Sequence, residues 1–415
     1  MAPPGPAMPP PVSQPPVNVP PAPMTTPNAA PPPETSADSA GNDSDCLPLT
    51  TAQRPADWTR MDLFLRSLVD HDGSDLHIKA DSPPRIRLHG SLKSLDYPAL
   101  TAEDTDELVR EVIREDQIEP FERTNEADFA YQKDGVGRFR VNAFRQRGAA
   151  GMVFRHVSVG APDLESLSVP SVLYNLALEP RGLVLVTGPT GSGKTTTLAG
   201  MLDHINQHKS VNIVTIEDPI EVIHHDKMAM VNQREVGVDT DDFLSALRGA
   251  MRQDPDVILI GEMRDSETVK AALAAAETGH FVMSTLHTVD AQETVNRVID
   301  FFPPHEQQQI RFALSGALRG ILCQRLVKRA NGQGRAVAME IAINTGRIAD
   351  AIVDSTKTST IMELVREGSY YGMQTFDQHL ISLYRDGAIT LDTAINASTS
   401  PHDMQVEMRR LGIAG

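Results

Sequence analysis

The sequence predicts an α/β protein in which a small α+β domain precedes a larger domain with a parallel sheet. Two observations predict this fold class. From residue 183 onward, short apolar runs with strand character alternate with helical patterns, which is typical of parallel strands joined by right-handed crossovers. Before residue 160, strand and helix patterns are mixed without such alternation, which favours a separate small α+β domain.

The first segment, residues 1–55, is dominated by Pro, Ala, Ser and Thr. We expect a disordered Pro-rich tail, because a segment of this composition cannot bury enough apolar surface to offset the entropy lost on ordering. Two roles are compatible with it: an inert, solubilising tail, or a docking ligand for a partner.

The small domain is predicted over residues 56–160. Apolar residues recur at helical spacing over 61–69 and again around Leu108 and Val112. Strand patterns occur at 76–79, 85–89, 127–132, 137–146 and 150–155. Residues 160–162 read as the linker to the next domain.

The larger domain is predicted over residues 161–345. Its strands are expected at 183–187, 211–217, 257–261, 281–286 and 336–343. Its helices are expected at 195–207, 241–252, 266–277 and 292–300. Residues 346–415 have a helical pattern and are predicted to form a helical C-terminal region.

Composition excludes several classes of protein. A net charge of −17 over 415 residues argues against a polyanion as the main partner, so no nucleic acid is expected to bind. Two cysteines, Cys46 and Cys323, provide neither a disulfide framework nor a zinc pattern. No apolar run approaches the roughly 18 residues of a spanning helix, and no signal peptide is recognisable. We therefore expect a soluble protein, which could still dock on a membrane complex.

A glycine-rich segment carries the strongest functional signal. It matches G-x-x-x-x-G-K-[ST] between an apolar strand pattern and a helical pattern, the context in which backbone N–H groups cradle phosphates. Lys194 is expected to reach the β- and γ-phosphates, and the Thr195 hydroxyl to ligate Mg²⁺. The chain is therefore predicted to bind a nucleoside triphosphate with Mg²⁺. The predicted nucleotide-binding residues are Gly188, Pro189, Thr190, Gly191, Ser192, Gly193, Lys194, Thr195 and Thr196.

Acidic residues follow two of the predicted strands. Glu262 ends the strand at 257–261, where open α/β sheets place ligands, and it could hold Mg²⁺ through water or orient the attacking water. Glu217, Asp218 and Glu221 lie at a turn after the strand at 211–217. The simpler alternatives are a helix cap for Glu262 and an acidic surface turn for the other three.

His280 and His287 bracket the strand at 281–286. Histidine titrates near pH 7 and can sense phosphate charge. A single histidine is more often structural, and a metal site would lack further obvious ligands.

Together these motifs resemble the secretion-ATPase superfamily of RecA-like motors, specifically the type IV pilus retraction ATPases PilT and PilU. The resemblance covers about residues 61–411. Residues 188–195 resemble the family's Walker A motif, 215–221 its Asp box, 257–262 its atypical Walker B motif and 278–287 its His box. Segments 73–78 and 83–85 resemble the family's PAS-like amino-terminal signature, 138–144 and 153–155 its arginine-bearing segments, and 231–237 and 372–378 further hallmarks.

The resemblance implies a PAS-like N-terminal domain, a RecA-like P-loop ATPase domain and a helical C-terminal region. It implies a homohexameric motor at the inner face of the cytoplasmic membrane that hydrolyses ATP to power pilus retraction and twitching motility. Glu262 would activate the lytic water with support from Glu221. Thr195 and Glu262 would bind Mg²⁺, directly or through water. His280 and His287 would link phosphate status to subunit geometry, and Arg140 and Arg155 would close over the phosphates.

Partners and alternatives follow from the same resemblance. A PilC-like inner-membrane platform protein is the implied partner, and a paralogous pilus motor is a further candidate. Pilus extension and type II secretion motors usually carry a four-cysteine zinc module, which this chain lacks. Residues 347–354 lack both arginines of the retraction signature Ala-Ile-Arg-Asn-Leu-Ile-Arg-Glu, which leaves a PilU-like accessory motor open. A nucleic-acid translocase and a non-hydrolysing nucleotide switch are the rival classes.

Overall fold

The computed structural model describes residues 46–50, 57–88 and 90–413. The chain from Cys46 to Gly415 forms one compact unit. Most of the predicted tail, residues 1–45 and 51–55, lies outside the described residues, and its predicted disorder stays a prediction.

The prediction of disorder was wrong for residues 46–50. Cys46–Leu47 forms strand β1, which pairs in parallel with a later strand. The carbonyl of Leu47 accepts a hydrogen bond from the N–H of Asp96 at 2.8 Å. Leu47 and Leu49 also pack against the core of the N-terminal domain. Composition could not reveal this pairing, because it satisfies backbone hydrogen-bonding groups of a strand that lies far along the chain.

The N-terminal domain combines helices and strands as predicted. Its elements after β1 are α1 (Arg60–Asp70), β2 (Asp75–Lys79), β3 (Arg85–Leu88), β4 (Ser91–Leu95), α2 (Ala102–Val112), α3 (Glu115–Thr124), β5 (Glu126–Lys133), β6 (Gly137–Gln146) and β7 (Ala149–Val159). Two elements were not predicted. Strand β4 is short and largely polar, and α3 contains Pro120 and buries only Phe121.

The strands of this domain form one sheet in the order β1-β4-β3-β2-β7-β6-β5. All neighbours are antiparallel except β1 and β4. The core beneath the sheet contains Phe64 and Leu68 of α1, Leu108 of α2, and Phe139 and Phe154 of the central strands, all buried. Helices on one face of a mostly antiparallel sheet are the expected α+β arrangement.

The second domain alternates strands and helices. Its elements are α4 (Val172–Ala177), β8 (Gly182–Thr187), α5 (Lys194–His208), β9 (Asn212–Glu217), β10 (Val222–Ile223), β11 (Met230–Glu235), α6 (Phe243–Ala250), β12 (Val257–Ile260), α7 (Ser266–Glu277), β13 (Phe281–Leu286), α8 (Ala291–Asp300), α9 (Pro304–Ala317), β14 (Leu318–Lys328) and β15 (Arg335–Ile343). The predicted strands and helices occur at nearly their predicted positions.

In the described residues the main sheet of this domain has the order β11-β9-β12-β13-β8-β14-β15. Neighbouring strands are parallel except β14 and β15, which are antiparallel. Strands β11 and β14 were not predicted, and β11 is a polar edge strand. The carboxyl ends of β9, β12, β13 and β8 lie side by side at one edge of the sheet, which is where α/β sheets bind ligands.

Apolar residues on both faces of the strands hold the layers together. Along β8, Leu183 and Leu185 join one core, whereas Val184 and Val186 join the core on the other face with α4 and α5. Continuous apolar strands of this kind are expected in a parallel sheet that is covered by helices on both faces.

The chain beyond β15 is helical, as predicted: α10 (Gly346–Val353), α11 (Ile361–Glu367), α12 (Phe376–Arg385), α13 (Leu391–Ala397) and α14 (Pro401–Arg410). These helices share a core with the main sheet. The N–H of Met339 on β15 donates to Nδ1 of buried His379 at 2.9 Å, and burial lowers the pKa of His379 to about 4. Among the described residues, no helix combines the length and the apolar character needed to cross a membrane.

Candidate nucleotide-binding site

The glycine-rich loop joins β8 to α5 and leaves the start of the helix open. Gly188, Gly191 and Gly193 have φ angles of +142°, +78° and +88°, in the range that glycine adopts readily. Gly193 precedes α5, and no side chain caps the first turn. The first N–H groups of α5 therefore remain available to an anion, and the positive end of the helix dipole favours phosphate there.

A buried glutamine on β14 supports this loop, and sequence reasoning missed it. Gln324 is fully buried, and its Nε2 donates to the carbonyl of Ser192 at 2.7 Å. A Cβ on Gly188 would contact the carbonyl oxygen of Gln324 and lie 2.7 Å from Oγ of Ser192. The loop and β14 are thus packed so closely that only glycine fits at position 188.

Lys194 lies at the start of α5 and faces the acidic residues across the cavity. Its Nζ donates to the carbonyls of Gly188 at 2.8 Å and Pro189 at 3.2 Å. Burial lowers the pKa of Lys194, and Glu262 and Glu221 oppose that effect. Thr195 and Thr196 are exposed at the cavity wall. The cavity encloses about 490 Å³, a volume in the ordinary range for a nucleotide-sized ligand.

The ends of three neighbouring strands bring the predicted acidic and histidine residues to this cavity. Glu221 follows β9, Glu262 follows β12 and His287 follows β13, and all three line the cavity. One oxygen of Glu262 lies 3.1 Å from Nε2 of His287, and the other accepts from Nε of Arg264 at 2.8 Å. The Glu262 carboxylate is therefore held in one orientation from both sides.

Glu217 is a second carboxylate at the end of β9, and sequence reasoning gave it no specific role. Its Oε1 accepts from Thr215 Oγ1 at 2.7 Å and from Gln233 Nε2 at 3.0 Å. Burial raises the pKa of Glu217. Its partner Gln233 lies on β11, the edge strand that was not predicted, and the family resemblance marked segment 231–237 only as a hallmark without a role.

The cavity has an apolar and basic wall that the motifs did not indicate. Leu326 and Arg335, on the antiparallel strands β14 and β15, line it beside the glycine-rich loop. Strands that run antiparallel at the edge of a parallel sheet carry no phosphate motif, which explains why sequence reasoning missed these residues.

Within this chain, three of the predicted catalytic residues lie away from the nucleotide cavity. His280 precedes β13 and therefore lies at the opposite edge of the sheet from His287, with the six-residue strand of about 20 Å between them. Its Nδ1 is 2.9 Å from the carbonyl of Ala275. Arg140 lines a smaller cavity on the other side of the Asp218–Pro219 turn.

Arg155 is the third of these residues. It lies on β7, its side chain is 68% exposed, and its Nε donates to Oδ1 of Asp75 at 3.0 Å. The roles predicted for His280, Arg140 and Arg155 stay predictions.

Comparisons with known proteins show the family of the chain. Residues 156–380 match the family model described as type II/IV secretion system protein. The type IV pilus retraction ATPase PilT of Pseudomonas aeruginosa is 45% identical over 330 residues, which cover 80% of this chain and 95% of that protein. The chain belongs to the type IV pilus retraction ATPase family. The type IV pilus ATPase PilU of the same organism is 42% identical over 349 residues, with 84% of this chain and 91% of PilU covered.

A solved member of the retraction ATPase family has the same fold. The crystal structure of the pilus retraction motor PilT with bound ADP matches 84% of this chain and 100% of that chain, with 43% identity and a TM-score of 0.78. The predicted family, its RecA-like fold class and its ATPase activity are thereby confirmed, and nucleotide binding is supported by the ADP in this relative. The matched segment 156–380 includes every strand end that contributes to the cavity.

Proposed function

We propose that this chain is a retraction motor that hydrolyses ATP to withdraw type IV pili and so drives twitching motility. The observation that supports the proposal is the convergence of Lys194, Glu221, Glu262 and His287 on one cavity at the carboxyl edge of the sheet. Phosphoryl transfer to water needs positioned charges rather than covalent chemistry, and this arrangement supplies them.

The roles of the residues follow from their positions. Lys194 and the loop N–H groups bind the phosphates. Glu262 orients a water molecule, accepts its proton as the water oxygen attacks the γ-phosphorus, and the bond to the bridging oxygen of ADP breaks. His287 and Arg264 keep the Glu262 carboxylate in place, at 3.1 Å and 2.8 Å. Glu221 supports the water from the neighbouring strand end.

The residues of the cavity fit Mg²⁺. The Thr195 hydroxyl and the carboxylates of Glu221 and Glu262 line the same cavity, and oxygen atoms are the ligands that Mg²⁺ prefers. In the described parts of the chain, no group of three or more His, Cys, Asp or Glu side chains could hold a metal ion. This fits an ion that takes one or two protein oxygens and the substrate phosphates. When bound, Mg²⁺ would neutralise charge on the β- and γ-phosphates.

A homohexameric ring would give the three distant residues a role. Arg140 and Arg155 lie on the N-terminal domain, and His280 lies at the far edge of the sheet, so each would act across a subunit interface. We propose that the ring sits at the inner face of the cytoplasmic membrane and passes its domain movements to a PilC-like platform protein. Rigid-body rotation of domains is a common way to convert ligand binding into movement.

A PilU-like accessory motor is the second candidate. Counted along the family signature, Ala349 and Val353 stand where retraction ATPases carry arginines, one turn apart on α10. Deletion of the gene followed by imaging of surface pili separates the candidates. Excess pili that do not retract would support the retraction motor, whereas intact retraction would support an accessory role. Cells without pili would indicate an extension motor.

Two substitutions test the site itself. Lys194→Ala should abolish nucleotide binding, and Glu262→Gln should retain binding of a fluorescent ADP analogue while steady-state ATP turnover falls by about 100-fold or more. Glu277→Gln is the matched control, because Glu277 is an exposed glutamate at the end of α7. Near-normal turnover of Glu262→Gln would refute the proposed role of Glu262.

A further inference from the structure

The turn that carries Glu221 is held by two side chains of the edge strand β11. Gln233 and Glu235 are two residues apart on this strand, so they project from the same face of the sheet. In the parallel register, they lie opposite Thr215 and Glu217 of β9. Both therefore reach the segment 217–224, which leaves β9 and passes along the nucleotide cavity.

Gln233 holds both ends of the turn. Its Nε2 donates to Oε1 of Glu217 at 3.0 Å and to the carbonyl of Val222 at 2.9 Å. Its Oε1 accepts from the N–H of His224 at 2.8 Å. Two of these hydrogen bonds fix the backbone after Glu221, and the third holds the side chain of Glu217 before it.

Glu235 holds the middle of the turn and connects it to the N-terminal domain. The residue is 4% exposed, and its Oε2 accepts from the N–H of Ile220, the residue before Glu221, at 3.1 Å. The same oxygen accepts from Nη2 of Arg138 at 2.7 Å. Arg138 lies on β6 of the N-terminal domain, and its side chain is also largely buried.

The backbone after the turn also contacts the N-terminal domain. Strand β10 pairs in parallel with β7, and the N–H of Gly160 donates to the carbonyl of Ile223 at 2.9 Å. The segment from Ile220 to Ile223 is thus connected to the N-terminal domain through Glu235 at one end and directly at the other, while Glu221 between them lines the nucleotide cavity. A movement of the N-terminal domain would be transmitted to Glu221 through only one or two peptide units.

We propose that Arg138 and Glu235 are positioning residues for ATP hydrolysis, which set the place of Glu221 according to the orientation of the N-terminal domain. The inference rests on the proposed role of Glu221. Arg138 does not line the nucleotide cavity, since it borders the smaller cavity between β6 and the turn. It acts on the reaction through the turn rather than by contact with the nucleotide.

If Arg138 and Glu235 position Glu221, their loss should lower kcat and leave nucleotide binding nearly unchanged. A misplacement of about 1 Å of a catalytic group can reduce a rate by roughly 100-fold. In the full-length protein, Arg138→Gln should lower kcat for ATP by about 10- to 100-fold while KM and the affinity for a fluorescent ADP analogue stay within about threefold of wild type. Arg138→Lys keeps a cation and should recover part of kcat. Arg145→Gln is the matched control, because Arg145 lies on the same strand but pairs with Asp106 inside the N-terminal domain at 3.3 Å.

Combined variants separate positioning from a merely structural role. In a Glu221→Gln background, Arg138→Gln should reduce kcat no further, because the pair acts through Glu221. The double variant Arg138→Gln with Glu235→Gln should resemble the more affected single variant rather than multiply the two effects. Glu235→Gln keeps an oxygen for the N–H of Ile220, so it tests the charge pair even if Arg138→Gln does not fold.

The outcomes are distinguishable. Full turnover of Glu221→Gln would overturn the proposed role of Glu221, and this inference with it. An inactive Glu221→Gln together with wild-type kcat in both Arg138→Gln and Glu235→Gln would overturn the inference alone. A further multiplicative loss from Arg138→Gln in the Glu221→Gln background would also overturn it, because the pair would then act independently of Glu221.

Discussion

Replacing Glu340 with glutamine should stabilise the protein at pH 8 and have little effect at pH 5. Glu340 lies on β15 and is 1% exposed. Its Oε1 accepts a hydrogen bond from the N–H of Ala291, the first residue of α8, at 2.9 Å. Burial raises the pKa of Glu340 to about 7, and the hydrogen bond from Ala291 opposes this rise.

The sign and size of the effect follow from that pKa. The folded protein holds the proton of Glu340 more tightly than the unfolded chain, whose glutamate pKa is 4.5. The stability associated with the protonated side chain is therefore complete below pH 4.5 and is lost as the pH rises to about 7. The difference between the pKa of 4.5 in the unfolded chain and about 7 in the folded protein corresponds to a loss of about 3 kcal/mol of unfolding free energy at pH 8. At pH 5 the loss is under about 1 kcal/mol.

Glutamine removes this loss without removing the hydrogen bond, because its amide oxygen can accept from the N–H of Ala291. We expect Glu340→Gln to raise the free energy of unfolding by about 3 kcal/mol at pH 8 and by under about 1 kcal/mol at pH 5. Urea unfolding followed by far-UV circular dichroism between pH 5 and pH 8 would measure the difference. All samples need one protein concentration, since subunit assembly makes apparent stability concentration-dependent.

Exposed Glu277 provides the control, and Glu277→Gln should show no such pH dependence. A stability difference between wild type and Glu340→Gln that is constant from pH 5 to pH 8 would refute the reasoning. So would a destabilisation at pH 8, because the carboxylate would then be favourable in its buried place.

Two further predictions concern the glycine-rich loop and the cysteines. Gly188→Ala should abolish binding of a fluorescent ADP analogue, because its Cβ would meet Gln324 and Ser192. The control is Gly148→Ala, at φ +84° in open space, which should keep full binding and cost only about 1 kcal/mol of stability. Retained binding in Gly188→Ala would contradict the close packing. In a thiol-reagent titration, exposed Cys46 should react in the native protein, whereas buried Cys323, whose pKa is raised by burial, should react only after unfolding. Equal reaction rates for the two thiols would argue against this burial.

The chemistry of the loop could be predicted because all its parts are adjacent in sequence. Gly188, Lys194 and Thr195 lie on one strand-loop-helix segment, so their spacing carries the information. Glu262 could be found for a related reason, since it ends an apolar strand and such ends meet at one edge of a parallel sheet. The family resemblance rested on these motifs, and the comparisons confirm it.

The supporting contacts could not be predicted. Gln324 and Ser192 are 132 residues apart in sequence, and Arg138 and Glu235 are 97 residues apart. Strand β11 is largely polar, so its hydrophobic pattern did not distinguish it from a loop. Composition likewise failed at residues 46–50, where two leucines meet a core that is built from later residues.

The sequence by itself therefore determined the nucleotide loop, the acidic strand ends and the alternation of strands and helices, because each depends on residues that are neighbours along the chain. Only the tertiary structure decided which side chains hold the loop and the acidic residues in place, and how the turn of Glu221 joins the N-terminal domain. Those features arise from pairing between strands that are adjacent in the sheet but distant in the chain, and local patterns do not specify such pairs.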